Sequence, residues 1–269
     1  MLTLPLLAAL LACGVVAGFM AGLLGVGGGL IIVPALGWAL AAGHLGGAHA
    51  QHLAVGTSLA VMVFTSASSV RAHHRKGAVD WRIVRGMAPA MVVGTLLGSL
   101  IAGWISGAAL KWFFVIYAYA VAAQMLIGKQ PKGGREMPGP AGQGAAGSFI
   151  GMVSSWVGIG GGSMSVPFMT WCNVPVHTAI GTSAALGWPI AISGAAGYLI
   201  SGWRAEGLPW GSAGFVYLPA MLALMLMTVL LAPLGARAAH RLPVPRLKKV
   251  FALLMATMAS EMLYRLLLG

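Results

Sequence analysis

The sequence predicts an all-α polytopic membrane protein made of two inverted-topology repeats, each a glycine-broken helical hairpin followed by three spanning helices. Three observations predict it: a composition suited to lipid, a motif pair that occurs twice in the same order, and basic clusters that change position between the two copies. The chain has 269 residues, of which 59% are hydrophobic and only 7% charged. A typical soluble domain carries about 25% charged residues, so a chain this apolar partitions into a bilayer. Its 40 glycines suit membrane helices, where a missing side chain lets backbones approach closely.

The repeat is read directly from the residues. Gly25, Gly27, Gly28 and Gly29, with Val33 and Pro34 after them, return as Gly158, Gly160, Gly161 and Gly162 with Val166 and Pro167, at an offset of 133. Gly14 and Gly18 match Gly147 and Gly151 at that offset, whereas Ser155 stands where a mate of Gly22 is expected. His52, Gly56, Thr57 and Ser58 return as His177, Gly181, Thr182 and Ser183 at an offset of 125. Pro89-Ala-Met and Pro219-Ala-Met form a further match, and Lys111 pairs with Lys248. The halves are 1–128 and 141–269, joined by a polar linker, 129–140.

Each half divides into four pieces. A hairpin interrupted by glycine covers about 4–42 and 142–174, and the three following apolar pieces cover about 50–70, 86–106 and 110–128, then 177–200, 211–233 and 247–268. The last three of each half approach the ~20 residues a membrane crossing requires. The N-terminal segment resembles a signal peptide in hydrophobicity but has no basic start, and it belongs to the repeat, so it is expected to remain. Cys13 and Cys172 stand apart in apolar stretches, with no disulfide framework or metal-binding spacing.

The formal net charge of +12 invites a nucleic-acid reading, which its distribution opposes. Thirteen of the 16 basic residues fall in three short segments: Arg71, Arg75, Lys76, Arg82 and Arg85; Lys129, Lys132 and Arg135; Arg237, Arg241, Arg246, Lys248 and Lys249. Membrane proteins concentrate Lys and Arg on cytoplasmic loops. In the first half the loop after the second piece is basic and the loop after the third nearly uncharged; in the second half this order reverses. Homologous loops then lie on opposite sides, as in inverted repeats of secondary transporters. With each hairpin entering and leaving on one side, the linker is cytoplasmic and both termini are periplasmic.

Two motifs carry candidate chemistry. The clustered glycines, 25, 27, 28 and 29 and their mates 158, 160, 161 and 162, do not continue a helix comfortably, since each costs about 1 kcal/mol relative to Ala. A break at membrane depth is tolerated inside protein or beside a cavity, and the helix that starts after it offers N–H groups and partial positive charge to an anion. The competing reading is close helix packing, which suits Gly14, Gly18 and Gly22. Gly56, Thr57 and Ser58, with Gly181, Thr182 and Ser183, supply hydroxyls that either donate to an oxyanion or bond a carbonyl one turn back. Gln51, His52 and His177 join this binding set, against the alternative that the histidines are interfacial residues near helix starts. The four acids are Asp80, Glu136, Glu206 and Glu261, and Arg265 is spaced to pair with Glu261. An apolar interior nearly free of carboxylates suits an anion held by dipoles and hydroxyls. No metal or cofactor motif is present, and an intramembrane hydrolase would need a pair such as Ser58 with His52 without the usual signatures.

The doubled G-x-G-G-G-x-x-x-V-P and H-x-x-[VI]-G-T-S motifs resemble those of the sulfite exporter TauE/SafE family of bacterial membrane permeases, over nearly the whole chain. That resemblance implies transport of sulfite or a small organosulfonate anion across the bacterial inner membrane, with the glycine segments and the Thr57, Ser58, Thr182 and Ser183 hydroxyls at the site. The expected partners are that sulfur-containing anion and membrane lipid, not nucleic acid; the oligomeric state stays open. The expected mechanism is alternating access in which one half rocks against the other. The alternatives are an anion channel or an importer coupled to protons. Export is favoured because a negative cell interior yields about 2.3 kcal/mol per charge per 100 mV to a departing anion.

The inverted arrangement predicts that a cysteine placed at position 76 is labelled from the cytoplasm and one at 205 from the periplasm. Labelling of both from one side by an impermeant thiol reagent refutes it.

Overall fold

The computed structural model describes residues 4–127, 134, 136–239 and 244–268, with side chains throughout except at 244–248 and 268. Lys129, Lys132, Arg135 and Arg241 lie outside the described residues, as do the side chains of Arg246 and Lys248. Among the described residues ten α-helices follow one another: α1 (Leu4–Leu24), α2 (Gly29–Ala42), α3 (Ala50–His74), α4 (Trp81–Ala102), α5 (Gly107–Ile127), α6 (Pro140–Val157), α7 (Gly162–Trp171), α8 (Val176–Ser201), α9 (Leu218–Ala239) and α10 (Val244–Leu268). Among the described residues seven segments are long and apolar enough to cross a membrane, in α1, α3, α4, α5, α8, α9 and α10. The short arms α2 and α7, with 14 and 10 residues, fall below the ~20 required to span.

The two halves contribute the same five helices in the same order, and helix boundaries fix their correspondence. α4 and α9 start at 81 and 218 and end at 102 and 239, and α5 and α10 start at 107 and 244, all at an offset of 137. This agrees with the Lys111–Lys248 match and corrects the Pro-Ala-Met match: Pro219 is the second residue of α9, whereas Pro89 lies well inside α4. The third piece of the second half therefore begins at Leu218 rather than at 211. Before it, Gly211 and Gly214 adopt left-handed φ of 84° and 51°, and a two-stranded antiparallel ladder pairs β1 (Ser212–Ala213) with β2 (Val216–Tyr217). Pro34 and Pro167 each lie inside a helix that starts five residues earlier, directly after a left-handed glycine.

The basic residues flanking the α3–α4 connection are mostly helix-terminal: Arg71 lies in the last turn of α3, and Arg82 in the first turn of α4. Asp80 caps α4, accepting from the N–H groups of Arg82 (2.9 Å) and Ile83, and so offsets basic charge at the positive end of the helix. Arg265 pairs with Glu261 on α10.

Packing exchanges partners between the halves. α1 lies along α9 and α6 along α4; α3 meets α8 and α9, α8 meets α4, and α5 pairs with α10. Two apolar cores result. One holds Ile83, Met87, Met91, Ile150, Met169 and Ile190 from α4, α6, α7 and α8. The other joins α1, α2, α3 and α9 with α5 and α10 and takes in Val153 and Val157 of α6 and Ala195 and Tyr198 of α8. The packing units thus mix the halves. Glycine makes the interlock possible. A Cβ on Gly18 would lie 2.5 Å from Thr228 Cα, one on Gly22 1.9 Å from the Ala232 carbonyl oxygen, and one on Gly151 2.4 Å from the Met91 carbonyl oxygen. The packing alternative for Gly14, Gly18 and Gly22 is what the α1–α9 contact uses. On the opposite side of α9, Leu218, Leu222, Leu226, Leu230 and Leu234 are exposed, a stripe at helical spacing that faces outward, as lipid contact requires.

Replacing Gly22 or Gly151 by Leu forces backbone apart along α1–α9 or α4–α6 and is expected to destabilise the purified protein by about 1–3 kcal/mol or more. Gly37→Ala, where nothing lies within 4 Å, is the control expected to be neutral or stabilising. Thermal unfolding in detergent measures all three.

Candidate functional site

The breaks between α1 and α2 and between α6 and α7 are built by backbone conformations that only glycine adopts without penalty. Gly25, Gly27 and Gly28 have φ of 67°, 78° and 82°, and Gly158 and Gly161 have 78° and 73°. An L side chain in that left-handed region costs about 1–2 kcal/mol. Gly28 and Gly161 are the N-cap residues of α2 and α7, so the first-turn N–H groups of both helices point back into the breaks, as at any helix start. All of residues 25–29 and 158–162 are buried.

The two breaks touch. The Gly160 N–H donates to the Val26 carbonyl at 3.3 Å. A Cβ on Gly29 would stand 1.9 Å from the Gly158 carbonyl oxygen, and one on Gly162 would stand 2.3 Å from that of Gly25. These contacts are reciprocal across the halves. So are the hydroxyls that hold them. Ser58 donates to the Gly158 carbonyl at 2.9 Å, and Ser183 donates to the Gly25 carbonyl at 3.1 Å while accepting from Ser165 at 2.9 Å. Neither serine of the repeated Gly-Thr-Ser motif turns back on its own helix; each closes the broken backbone of the other half.

The threonines do a second reciprocal job. Thr57 accepts from the Tyr217 N–H at 2.8 Å, and Thr182 accepts from the Asp80 N–H at 2.9 Å. Tyr217 and Asp80 immediately precede α9 and α4, so each threonine anchors the entry of the opposite half's fourth helix. Each keeps its own hydroxyl hydrogen to donate. Gly56 and Gly181 make room for the same two lead-ins, since a Cβ on either would meet the Phe215 or Ala78 carbonyl oxygen at 2.3 and 2.4 Å. Thr57, Ser58, Thr182 and Ser183 are fully buried.

The structure thus brings together Gly25, Gly27, Gly28, Gly29, Ser58, Gly158, Gly160, Gly161, Gly162 and Ser183, with Thr57 and Thr182 one residue away along α3 and α8. Gln51 and His52 sit about two turns earlier on α3. His52 Nε2 lies 3.1 and 3.0 Å from the Ala102 and Ile105 carbonyls at the end of α4, and its ring stacks on Phe215 at 4.8 Å between centroids. It ties α3 to α4 and to the β-ladder. Its repeat mate His177 is exposed, so the two histidines are not equivalent. Gln51 is buried, with neither amide atom bonded among the described residues. Ser58 and His52 each bond elsewhere, and no nucleophile–base pair forms between them. Among the described residues no group of three or more His, Cys, Asp or Glu is placed to hold a metal ion.

Sequence reasoning missed four participants. Asp80 and Tyr217 act through backbone N–H groups, which carry no side-chain signal. Phe215 lies in a short ladder read as helix. Met62, fully buried, faces both breaks, and its one signal is that it aligns with Gly187 at the offset of the Thr-Ser motif.

The family model described as Sulfite exporter TauE/SafE matches residues 10–262. A probable membrane transporter protein of Haemophilus influenzae is 36% identical, over 93% of this chain and 95% of its own length. The probable membrane transporter protein YunE of Bacillus subtilis is 30% identical, over 72% of this chain and 78% of its own. A probable membrane transporter protein of Methanocaldococcus jannaschii is 26% identical, over 98% and 96%. No solved structure matches the chain.

Ser58→Ala or Ser183→Ala leaves a buried carbonyl at a break unpaired, and each is expected to cost about 1–3 kcal/mol of stability. Thr257→Ala, an exposed hydroxyl bonded within its own helix, is expected to change it by less than about 0.5 kcal/mol. Unfolding midpoints of the purified variants decide between them.

Proposed function

The chain belongs to the sulfite exporter TauE/SafE family, and on that premise we propose that this membrane transporter exports a small sulfur-containing anion, sulfite or a small organosulfonate, by alternating access. The observation that carries the proposal is the reciprocal crossing of the two glycine breaks, with the N-termini of α2 and α7 meeting beside the middle of α3 and α8. Two helix starts converging at mid-depth give an anion N–H donors and partial positive charge without a full countercharge. Thr57 and Thr182 each have a hydroxyl hydrogen to add. Among the described residues the four acids have other roles: the Asp80 carboxylate caps α4 while its N–H bonds Thr182, Glu136 and Glu206 are in connections, and Glu261 pairs with Arg265.

In this reading the halves are inverted with respect to the membrane, the termini are periplasmic, and the protein resides in the bacterial inner membrane. The moving parts are the packing units rather than the sequence halves: α1, α3 and α9 on one side, α4, α6 and α8 on the other, shearing at α3–α8. Their shear separates Ser58 from Gly158 and Ser183 from Gly25, which frees hydroxyl and backbone donors for the anion. Departure of the anion from a negative interior is downhill by about 2.3 kcal/mol per charge per 100 mV, so export proceeds without a coupling ion.

Labelled sulfite and sulfoacetate flux from proteoliposomes, with and without imposed voltage and pH gradients, tests the proposal. Flux driven by voltage alone is the expected result; absence of flux for both anions, or currents of channel size, overturns it. Gly28→Leu and Gly161→Leu, which place a side chain at left-handed φ, are expected to abolish flux while the protein still inserts, and normal flux in both overturns the role of the breaks.

A further inference from the structure

We infer that Met62 sets the size of the transported anion, its side chain filling the space between the two glycine breaks that the substrate occupies in passage, so that the protein selects a compact oxyanion of sulfite size over bulkier carbon-bearing sulfonates. The inference rests on the transport reading above. Met62 lies halfway along α3 and is fully buried. A Cβ on Gly27 would fall 2.4 Å from its Cε and 3.4 Å from its Sδ, and one on Gly160 would fall 2.8 Å from the same Cε. One methyl group therefore rests against a glycine of each break.

The repeat shows that this filling is one-sided. At the offset that relates Ser58 to Ser183, the mate of Met62 is Gly187. A Cβ on Gly187 would lie 3.3 Å from the Gly160 carbonyl oxygen and 3.4 Å from Ser66 Oγ. On that side backbone approaches backbone, and the shared space admits a single side chain. Ser58, Met62 and Ser66 follow at four-residue spacing and so share one face of α3. Met62 thus stands between two hydroxyls on its face of α3, at the level of the α2 and α7 N-termini, with its methyl group against a glycine of each break.

Methionine suits a plug that moves. It is unbranched, with three rotatable bonds and a polarizable sulfur, so it can swing aside without moving α3. The atoms that swing, Cγ, Sδ and Cε, vacate room of the order of a small oxyanion such as sulfite, while Cβ stays fixed on the helix. A sulfonate bearing a carboxymethyl group needs more room than this exchange provides.

The test uses the full chain in proteoliposomes, with labelled sulfite efflux competed by unlabelled sulfite or sulfoacetate. The ratio of sulfite to sulfoacetate preference is expected to fall about tenfold or more in Met62→Gly and Met62→Ala, the scale of a pocket gaining room for an extra group. Met62→Leu should keep most of the preference, and Met62→Phe should stop sulfite flux. An unchanged preference in Met62→Ala overturns the inference. A second arm does not depend on which anion is carried, or on whether any is. In a chain carrying Cys13→Ala and Cys172→Ala, Met62→Cys should react with sulfonatoethyl methanethiosulfonate about tenfold faster or more than Leu59→Cys, buried on the same helix. Equal unreactivity removes Met62 from any anion path. If the unaltered protein carries neither anion, the transport reading falls, and thiol reactivity at position 62 alone decides the role of Met62.

Discussion

A helix broken at half the depth of a membrane leaves peptide N–H and C=O groups in a medium that offers them no water, and each unpaired group costs several kcal/mol. This chain breaks two helical stretches, at 25–28 and 158–161, where the backbone is buried in the protein. The rest of the architecture follows from how the resulting carbonyls are paired. Gly158 is served by Ser58 and Gly25 by Ser183, so neither half can satisfy its own break. The glycines do more than permit the turn, because a Cβ at Gly29 or Gly162 would collide with the backbone of the opposite break. Pairing, contact and conformation at this one place all require both halves at once.

That mutual dependence explains the exchange of helices. Thr57 and Thr182, next to the serines, anchor the lead-ins of α9 and α4, and α1 and α6 then pack along those same helices through glycine contacts. Each half's first arm is carried by the other half's fourth helix. One apolar core gathers α4, α6, α7 and α8; the other, around α1, α2, α3 and α9, also takes in Val157 of α6 and Tyr198 of α8. The two sets of helices meet along α3 and α8, where the proposed motion occurs. The hydroxyl bonds that cross this seam are the ones that the proposed transport cycle exchanges for bonds to an anion.

The same seam gives the proposed selectivity a physical form. Charge discrimination rests on helix dipoles and hydroxyl hydrogens instead of fixed cations, which lets an anion leave as readily as it enters. Size discrimination rests on one flexible side chain at a position where the repeat supplies a methionine on one side and a glycine on the other. The asymmetry of the histidines is of a similar kind. His52 is drawn into the protein by Phe215 and two carbonyls, whereas His177 is exposed, because the β-ladder that carries Phe215 has no counterpart before α4.

Much of this was legible from residues alone. An apolar composition, doubled glycine breaks and the recurring Thr-Ser pair identify membrane helices, their number and the places where they break, because lipid and left-handed backbone each tolerate few residue types. The sequence could not say what the Ser58 and Ser183 hydroxyls bond, since local carbonyls and distant ones are equally suitable acceptors on chemistry alone. It aligned Pro89 with Pro219, which helix boundaries and the Asp80 and Tyr217 anchors correct, because proline is tolerated both at a helix start and inside a membrane helix. Tertiary structure alone decided that the breaks meet, that each half completes the other, and that Met62 stands between them. The bonds that join the breaks across the halves link residues a hundred or more positions apart, and no local propensity encodes which distant backbone will lie opposite a glycine.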